Sequence, residues 1–219
     1  MTTFDGLLQL QPMTNGLFIT LEGNEGSGKS TQSTLLRDAL LAQGHIVTLL
    51  REPGSTDIGT KIRGLLKDPG NKICSEAELF LFQAARAQLV HDVIAPKLRA
   101  GEIIIADRFY DSTWVYQGWA RGINLLAIEF TNRLATPGVE INKTFFIRVP
   151  LDVCMTRVAS RGNTDRFEQE GVKLLSKIHE GYEELSKNFP RRVEVVDGNR
   201  QAALVHQDLL AKTLRLIQQ

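Results

Sequence analysis

The chain has 219 residues, 42% hydrophobic and 23% charged, with a formal net charge of +1. A near-neutral chain has no global field to draw in a nucleic-acid polymer or an anionic membrane, so neither is expected as a partner, and any basic site must be local. No apolar run approaches the ~20 residues of a membrane span, and Cys74 and Cys154 have neither metal-ligand spacing nor disulfide density, which points to a cytoplasmic setting.

Residues 1–14 lack the charged and apolar regions of a signal peptide and read as an extension. From there to residue 219 no repeat, low-complexity tract or linker divides the chain, which reads as a single domain. Leu17-Phe18-Ile19-Thr20-Leu21 is an apolar run suited to a buried strand. It leads into Gly23-Asn24-Glu25-Gly26-Ser27-Gly28-Lys29-Ser30, the spacing of the P-loop. A helix-compatible segment follows, with Leu35, Leu36, Ala39 and Leu40 spaced for one buried face and Gly44 placed to stop it. In a strand–loop–helix setting the glycines let the backbone wrap round a phosphate chain, and the helix N-terminus adds partial positive charge. Gly23 to Ser30, with Thr31, form the candidate ATP-binding set. Lys29 can reach the β- and γ-phosphates, and the Ser30 hydroxyl can ligate Mg2+.

Ile46 to Leu50 reads as the next strand, ended by the turn Arg51-Glu52-Pro53-Gly54. Ile58, Ile62, Leu65 and Leu66 fit a brief helix. Ser75 with Glu78 has the form of a capping box opening a long helix, with Leu79, Phe82, Leu89 and Val93 on one face, a kink at Pro96 and an end at Gly101. Ile103 to Asp107 is another buried strand, and Thr144 to Val149 the fourth. Asp152 can cap a helix to about Arg161, and a polar segment, Gly162 to Asp165, precedes a helix from about Gly171 to Lys187. Val193–Val196 is the last strand, and Leu204, Leu209, Leu214 and Ile217 mark a final amphipathic helix. Five apolar strands alternating with helices predict an α/β P-loop NTPase fold, a five-stranded parallel sheet covered on both faces.

Asp107, ending an apolar strand, is the candidate second acid of the magnesium site, opposite Ser30. Arg108 beside it suits a phosphate. Arg157, Arg161 and Arg166 lie in a polar stretch that a solvated face would also explain. Phosphoryl transfer, however, spreads negative charge that a lid bearing arginine can neutralise, and the P-loop has no arginine of its own. Such a lid spans about residues 157–168, with Arg161 and Arg166 as its candidate catalytic cations. A guanine-specific GTPase is disfavoured, because Asn142-Lys143-Thr144-Phe145 lacks the required acid.

Four linked stretches, Glu22 to Gln32, Arg51 to Gly54, Phe82 to Arg86 and Asp107 to Gly118, closely resemble the bacterial thymidylate kinases in order and spacing, over about residue 17 to the end. The resemblance implies transfer of the γ-phosphoryl of ATP to dTMP, with Lys29, Arg108, Arg161, Arg166 and Glu25 as the catalytic set, and a homodimer. It implies that Phe82 stacks on thymine and Arg86 hydrogen-bonds its O4, four residues apart on one helix face. It places Ser112, Thr113 and Gln117 at the acceptor site, Arg63 and Arg108 on the acceptor phosphate with Arg51 nearby, and Glu25 near the sugar 3′-hydroxyl. Tyr116 is implied to crowd the sugar C2′, and Pro53 to wall the base pocket. Ser55, Thr60 and Val115 depart from the family pattern. A kinase for another nucleoside monophosphate is the first alternative, and a nucleotide-binding regulator without catalysis the second; the latter would have lost Lys29, Asp107 or the lid arginines, all of which are present.

Overall fold

The computed structural model describes residues 15–160 and 166–218. The extension before residue 15, and Arg161 with the polar segment after it, lie outside the described residues. Five strands, β1 (Leu17–Glu22), β2 (Val47–Arg51), β3 (Ile103–Asp107), β4 (Lys143–Arg148) and β5 (Val193–Asp197), form one parallel sheet in the order β2-β3-β1-β4-β5. Alternation along the strands supplies both faces. Ile19, Leu21, Ile103, Ile105, Phe145 and Ile147 meet α1 (Lys29–Ala42) and α10 (Ala202–Ile217) through Leu36, Leu40, Val205 and Leu209. Phe18, Ile104 and Ala106 point the other way, onto α3 (Ser75–Leu89), the π segment Val90–Ile94 and α4 (Ala95–Arg99). Phe146 packs on that face against Tyr182 of α9 (Val172–Asn188) and Val115 of the π segment Trp114–Ala120.

Shorter helices complete the chain: α2 (Asp57–Lys67), α5 (Tyr110–Thr113), α6 (Leu125–Ala135), α7 (Leu151–Ala159) and α8 (Arg166–Gln169). Several local expectations need correction. Leu35 is exposed, and α1 instead buries Lys29, Gln32 and Ser33 with Leu36 and Leu40, because its first turn faces the phosphate loop. Ser75 and Glu78 do not make a capping box: Cys74 is the N-cap of α3, and the Glu78 carboxylate turns inward to cationic partners. Asp152 sits in the first turn of α7, whose N-cap is Pro150. Pro96 lies at the start of α4, just past the π turn, where its missing N–H interrupts no regular ladder.

The register sets Leu21 beside Asp107. The loop after β1 and the residues after β3 therefore emerge side by side at the carboxyl edge, where ligands bind in such sheets.

Candidate active site

The β1–α1 loop closes round its own backbone. Gly26 has φ +80°, and a Cβ there would stand 2.4 Å from the Cys154 carbonyl oxygen, so only glycine lets the loop pass α7. Arg157 of α7 donates to the Gly26 carbonyl at 3.2 Å, a contact the arginine-rich stretch did not announce. Lys29 Nζ donates to the Asn24 carbonyl at 2.7 Å and to Ser27 Oγ at 3.4 Å, curled over the loop that precedes it. Burial, with Arg108 close by, pushes the Lys29 ammonium down to about 8. Ser30 Oγ donates to Asp107 Oδ2 at 2.5 Å, so hydroxyl and carboxylate stand together. Among the described residues no group of three or more His, Cys, Asp or Glu side chains could hold a metal. A cation at Ser30 and Asp107 would have only these two side chains to hold it and would draw its other oxygen ligands from outside the chain.

Arg108 follows with φ +75°, a left-handed backbone unusual for a side chain of its size. Its guanidinium is held from several sides: Nη1 donates to Ser112 Oγ (3.0 Å) and Tyr182 Oη (2.7 Å), Nη2 to Glu25 Oε1 (3.1 Å), and the group lies 5.2 Å over the Tyr116 ring. Beneath it is Glu22, fully buried at the end of β1, accepting from the Phe109 N–H (2.8 Å), Ser112 Oγ (2.6 Å) and Tyr182 Oη (2.9 Å). Burial raises the Glu22 carboxyl to about 7, against the pull of Arg108. Glu25 goes the other way. Burial would raise it, but Arg108, Lys29 and Lys67 hold it far below the usual carboxylate range. Two carboxylates three residues apart are thus driven to opposite states by their surroundings. Glu22 and Tyr182 are two site-shaping residues that sequence reading missed; for Glu22 an acid at a strand end was the available signal.

The other end of the site is built on α3. Arg86 is 1% exposed, yet it is not unpaired. Its Nη2 lies 2.5 Å from Glu52 Oε2, its Nε bonds the same carboxylate at 2.9 and 3.0 Å, and Nη1 donates to Gln83 Oε1 and Asn132 Oδ1, both at 3.0 Å. Glu52, read from sequence only as a turn residue, is the countercharge that makes a buried arginine possible here. The Glu52–Pro53 peptide is cis. Arg63 Nη1 donates to the Pro53 carbonyl at 2.9 Å, and the Arg51 N–H to Ser55 Oγ at 3.1 Å. Gln117 Nε2 donates to Glu78 Oε1 at 2.8 Å. Among the described residues the buried Thr113 hydroxyl has no hydrogen-bond partner, although such groups are nearly always satisfied.

One cleft joins the two ends. Glu25, Lys29, Ser30, Asp107 and Arg108 line it near the P-loop. Arg51, Pro53, Arg63 and Phe82 line it farther on, with Arg86, Ser112, Thr113, Tyr116 and Gln117. Glu52, Lys67 and Phe167 line it too, and these the sequence had not nominated. Arg166, the other candidate lid cation, does not line the cleft. It is buried, within 2.5 Å of Glu78 Oε2, with Nε donating to the Leu66 carbonyl at 2.8 Å. The inward Glu78 carboxylate claims it, and a buried carboxylate needs such a partner.

The sequence model of the thymidylate kinase family matches residues 21–209. A thymidylate kinase of Thermoanaerobacter sp. (strain X514) is 40% identical over 195 residues, covering 89% of this chain and 96% of the relative. One from Citrifermentans bemidjiense is 43% identical over 210 residues, covering 91% and 92%. The crystal structure of thymidylate kinase from Ehrlichia chaffeensis superposes with a TM-score of 0.74 at 31% identity, covering 91% of this chain and 99% of that one. With a matching family model, extensive identity and a shared fold, the chain belongs to the thymidylate kinase family.

Proposed function

We propose that the chain phosphorylates dTMP to dTDP with ATP as donor and Mg2+ as the ion held by Ser30 and Asp107. The observation that carries this reading is one cleft with the P-loop lysine and the Ser30–Asp107 pair at one end, and Phe82, Arg86 and the partnerless Thr113 hydroxyl at the other. Bound Mg2+ would neutralise charge on the β- and γ-phosphates. Lys29 follows the transferring group, and the P-loop backbone from Gly23 to Thr31 cradles the donor. Arg108, charged and fixed by Glu25, Ser112 and Tyr182, holds the acceptor phosphate with Arg63 and Arg51. Glu25, kept ionised, accepts from the sugar hydroxyl. Phe82 stacks on thymine, Tyr116 crowds the sugar, Pro53 walls the pocket, and Arg86 reads O4 with Thr113 and Gln117 beside it. Arg161 remains the lid cation we assign to the transition state.

Cytosine carries an amino donor where thymine has O4, so a donor aimed there meets a donor in dCMP. An ADP-release assay with Mg-ATP against dTMP, dUMP, dCMP, AMP and GMP tests the reading. dTMP is expected to lead, with dUMP ~10-fold poorer and dCMP more than ~100-fold poorer in kcat/KM. A preference for AMP or GMP would overturn it. We read residues 15–219 as one domain and the protein as cytoplasmic, in keeping with the free thiols of Cys74 and Cys154. We also read it as a homodimer through α3 and α6, whose Phe80, Leu126, Phe130 and Leu134 are exposed. A monomeric sedimentation coefficient in wild type would refute the dimer.

A further inference from the structure

Sequence reading reserved Arg166 for the transferring phosphoryl group, yet it points to Glu78. Glu78, in the first turn of α3, is fully buried and accepts from three side chains on two other segments. Its Oε1 accepts from Gln117 Nε2 at 2.8 Å and Arg121 Nε at 3.2 Å; its Oε2 accepts from Arg121 Nη2 at 3.0 Å and Arg166 Nη2 at 2.5 Å. Arg121 and Arg166 also both reach the Glu170 carboxylate, so two acids and two bases close one network. Burial would raise the Glu78 carboxyl, but hydrogen bonds from Arg121 and Gln117 more than cancel this and leave it below its ordinary value. The residue after Arg166 is Phe167. Its ring lies 6.1 Å from that of Phe82 and 6.0 Å, edge-on, from that of Tyr116, with the Arg166 guanidinium 4.3 Å over it, and it lines the cleft.

We infer that Glu78 and Arg166 form a latch that seats Phe167 as a third aromatic wall of the acceptor pocket, so that this part of the lid governs affinity for the acceptor nucleotide. The inference rests on the acceptor site proposed above. Phe167 supplies the contact, a flat ring beside Phe82 and Tyr116 suited to a pyrimidine base or its sugar. Glu78 and Arg166 are positioning residues. A buried ion pair is seldom the most stabilising use of two positions, but with all partners in place it holds one geometry. Because Gln117 shares the same carboxylate, the base pocket and the lid wall are aligned by a single group.

The test measures kcat, KM for dTMP and KM for ATP, with calorimetric dTMP affinity, in wild type, Phe167→Ala, Phe167→Tyr, Arg166→Met, Glu78→Gln and the Glu78→Gln/Arg166→Met double variant. Removing the ring or either half of the latch is expected to raise the KM and Kd for dTMP about 10-fold, the scale of one lost base–aromatic contact. KM for ATP should stay within about twofold, as should dTMP affinity in Phe167→Tyr. The double variant should bind dTMP no more weakly than the poorer single variant, since either change opens the same latch. An Arg166→Met enzyme with kcat lowered ~100-fold and dTMP KM unchanged would place Arg166 on the transferring phosphoryl group and overturn the latch. Unaltered dTMP affinity in Phe167→Ala, a substitution that empties no core position, would overturn it even if the Glu78 variants fail to fold. A wild-type protein that leaves dTMP unphosphorylated would overturn the functional reading and the latch with it, a failure recognised before any variant is made.

Discussion

The two ends of the cleft are made in different ways. At the donor end the working parts are nearly contiguous: Gly23 to Ser30 supply the loop, and Lys29 is fixed by a carbonyl five residues earlier. Asp107, brought alongside by the β1–β3 register, and Arg157 come from elsewhere. At the acceptor end the parts come from far apart and are held by buried charge: Arg86 answers Glu52 across 34 residues, and Arg166 answers Glu78 across 88. Where the two ends meet, Arg108 answers Glu25 of the P-loop across 83. Gripping a phosphate chain asks for backbone N–H groups and one cation, which a short motif can encode. Reading a base asks for donors, rings and walls at fixed angles, and those must be borrowed from several elements and locked in place.

This contrast can be broken first at the acceptor end. Arg86→Ala leaves Glu52 buried without its countercharge, a loss on the order of 3–5 kcal/mol. Thermal unfolding should show a midpoint lower by roughly 10 °C, and the surviving activity should show a narrowed dTMP/dCMP ratio. An unchanged midpoint would mean that the pair is not what holds α3 to the β2 turn. At the donor end the same operation should leave the fold alone. Lys29→Ala removes a charge-stabilising group and should cut kcat at least ~100-fold while circular dichroism and melting stay near wild type. Turnover close to normal would take the P-loop out of the mechanism.

The smallest effect concerns Glu22, which underlies both ends. Its folded carboxyl is raised from 4.5 to about 7, so between those values the native state binds the proton more tightly than the unfolded chain. Its contribution to stability is full below pH 4.5 and is lost as pH rises through 7. Glu22→Gln should therefore flatten the difference, with wild type losing a few degrees of melting temperature relative to the variant between pH 4.5 and about 7. Parallel melting curves across that range would show that Glu22 does not titrate there.

What the sequence determined by itself was whatever depends on neighbours along the chain. The P-loop, the five strands and their parallel pairing follow from local spacing and from apolar runs too hydrophobic for an exposed sheet, whereas their order in the sheet does not. The cleft-lining set around Phe82 and Tyr116 was reached only through the resemblance to thymidylate kinases; taken alone, neither residue type announces a pocket. Tertiary structure alone decided the partners of charges. Glu78 fits a capping box on paper, and Arg166 a free lid cation, because spacing within a helix carries no information about a carboxylate or guanidinium across the fold. Likewise Glu52 reads as part of a turn until Arg86 is seen against it. A buried charge selects its partner by distance and desolvation in three dimensions, and neither quantity is written along a one-dimensional chain.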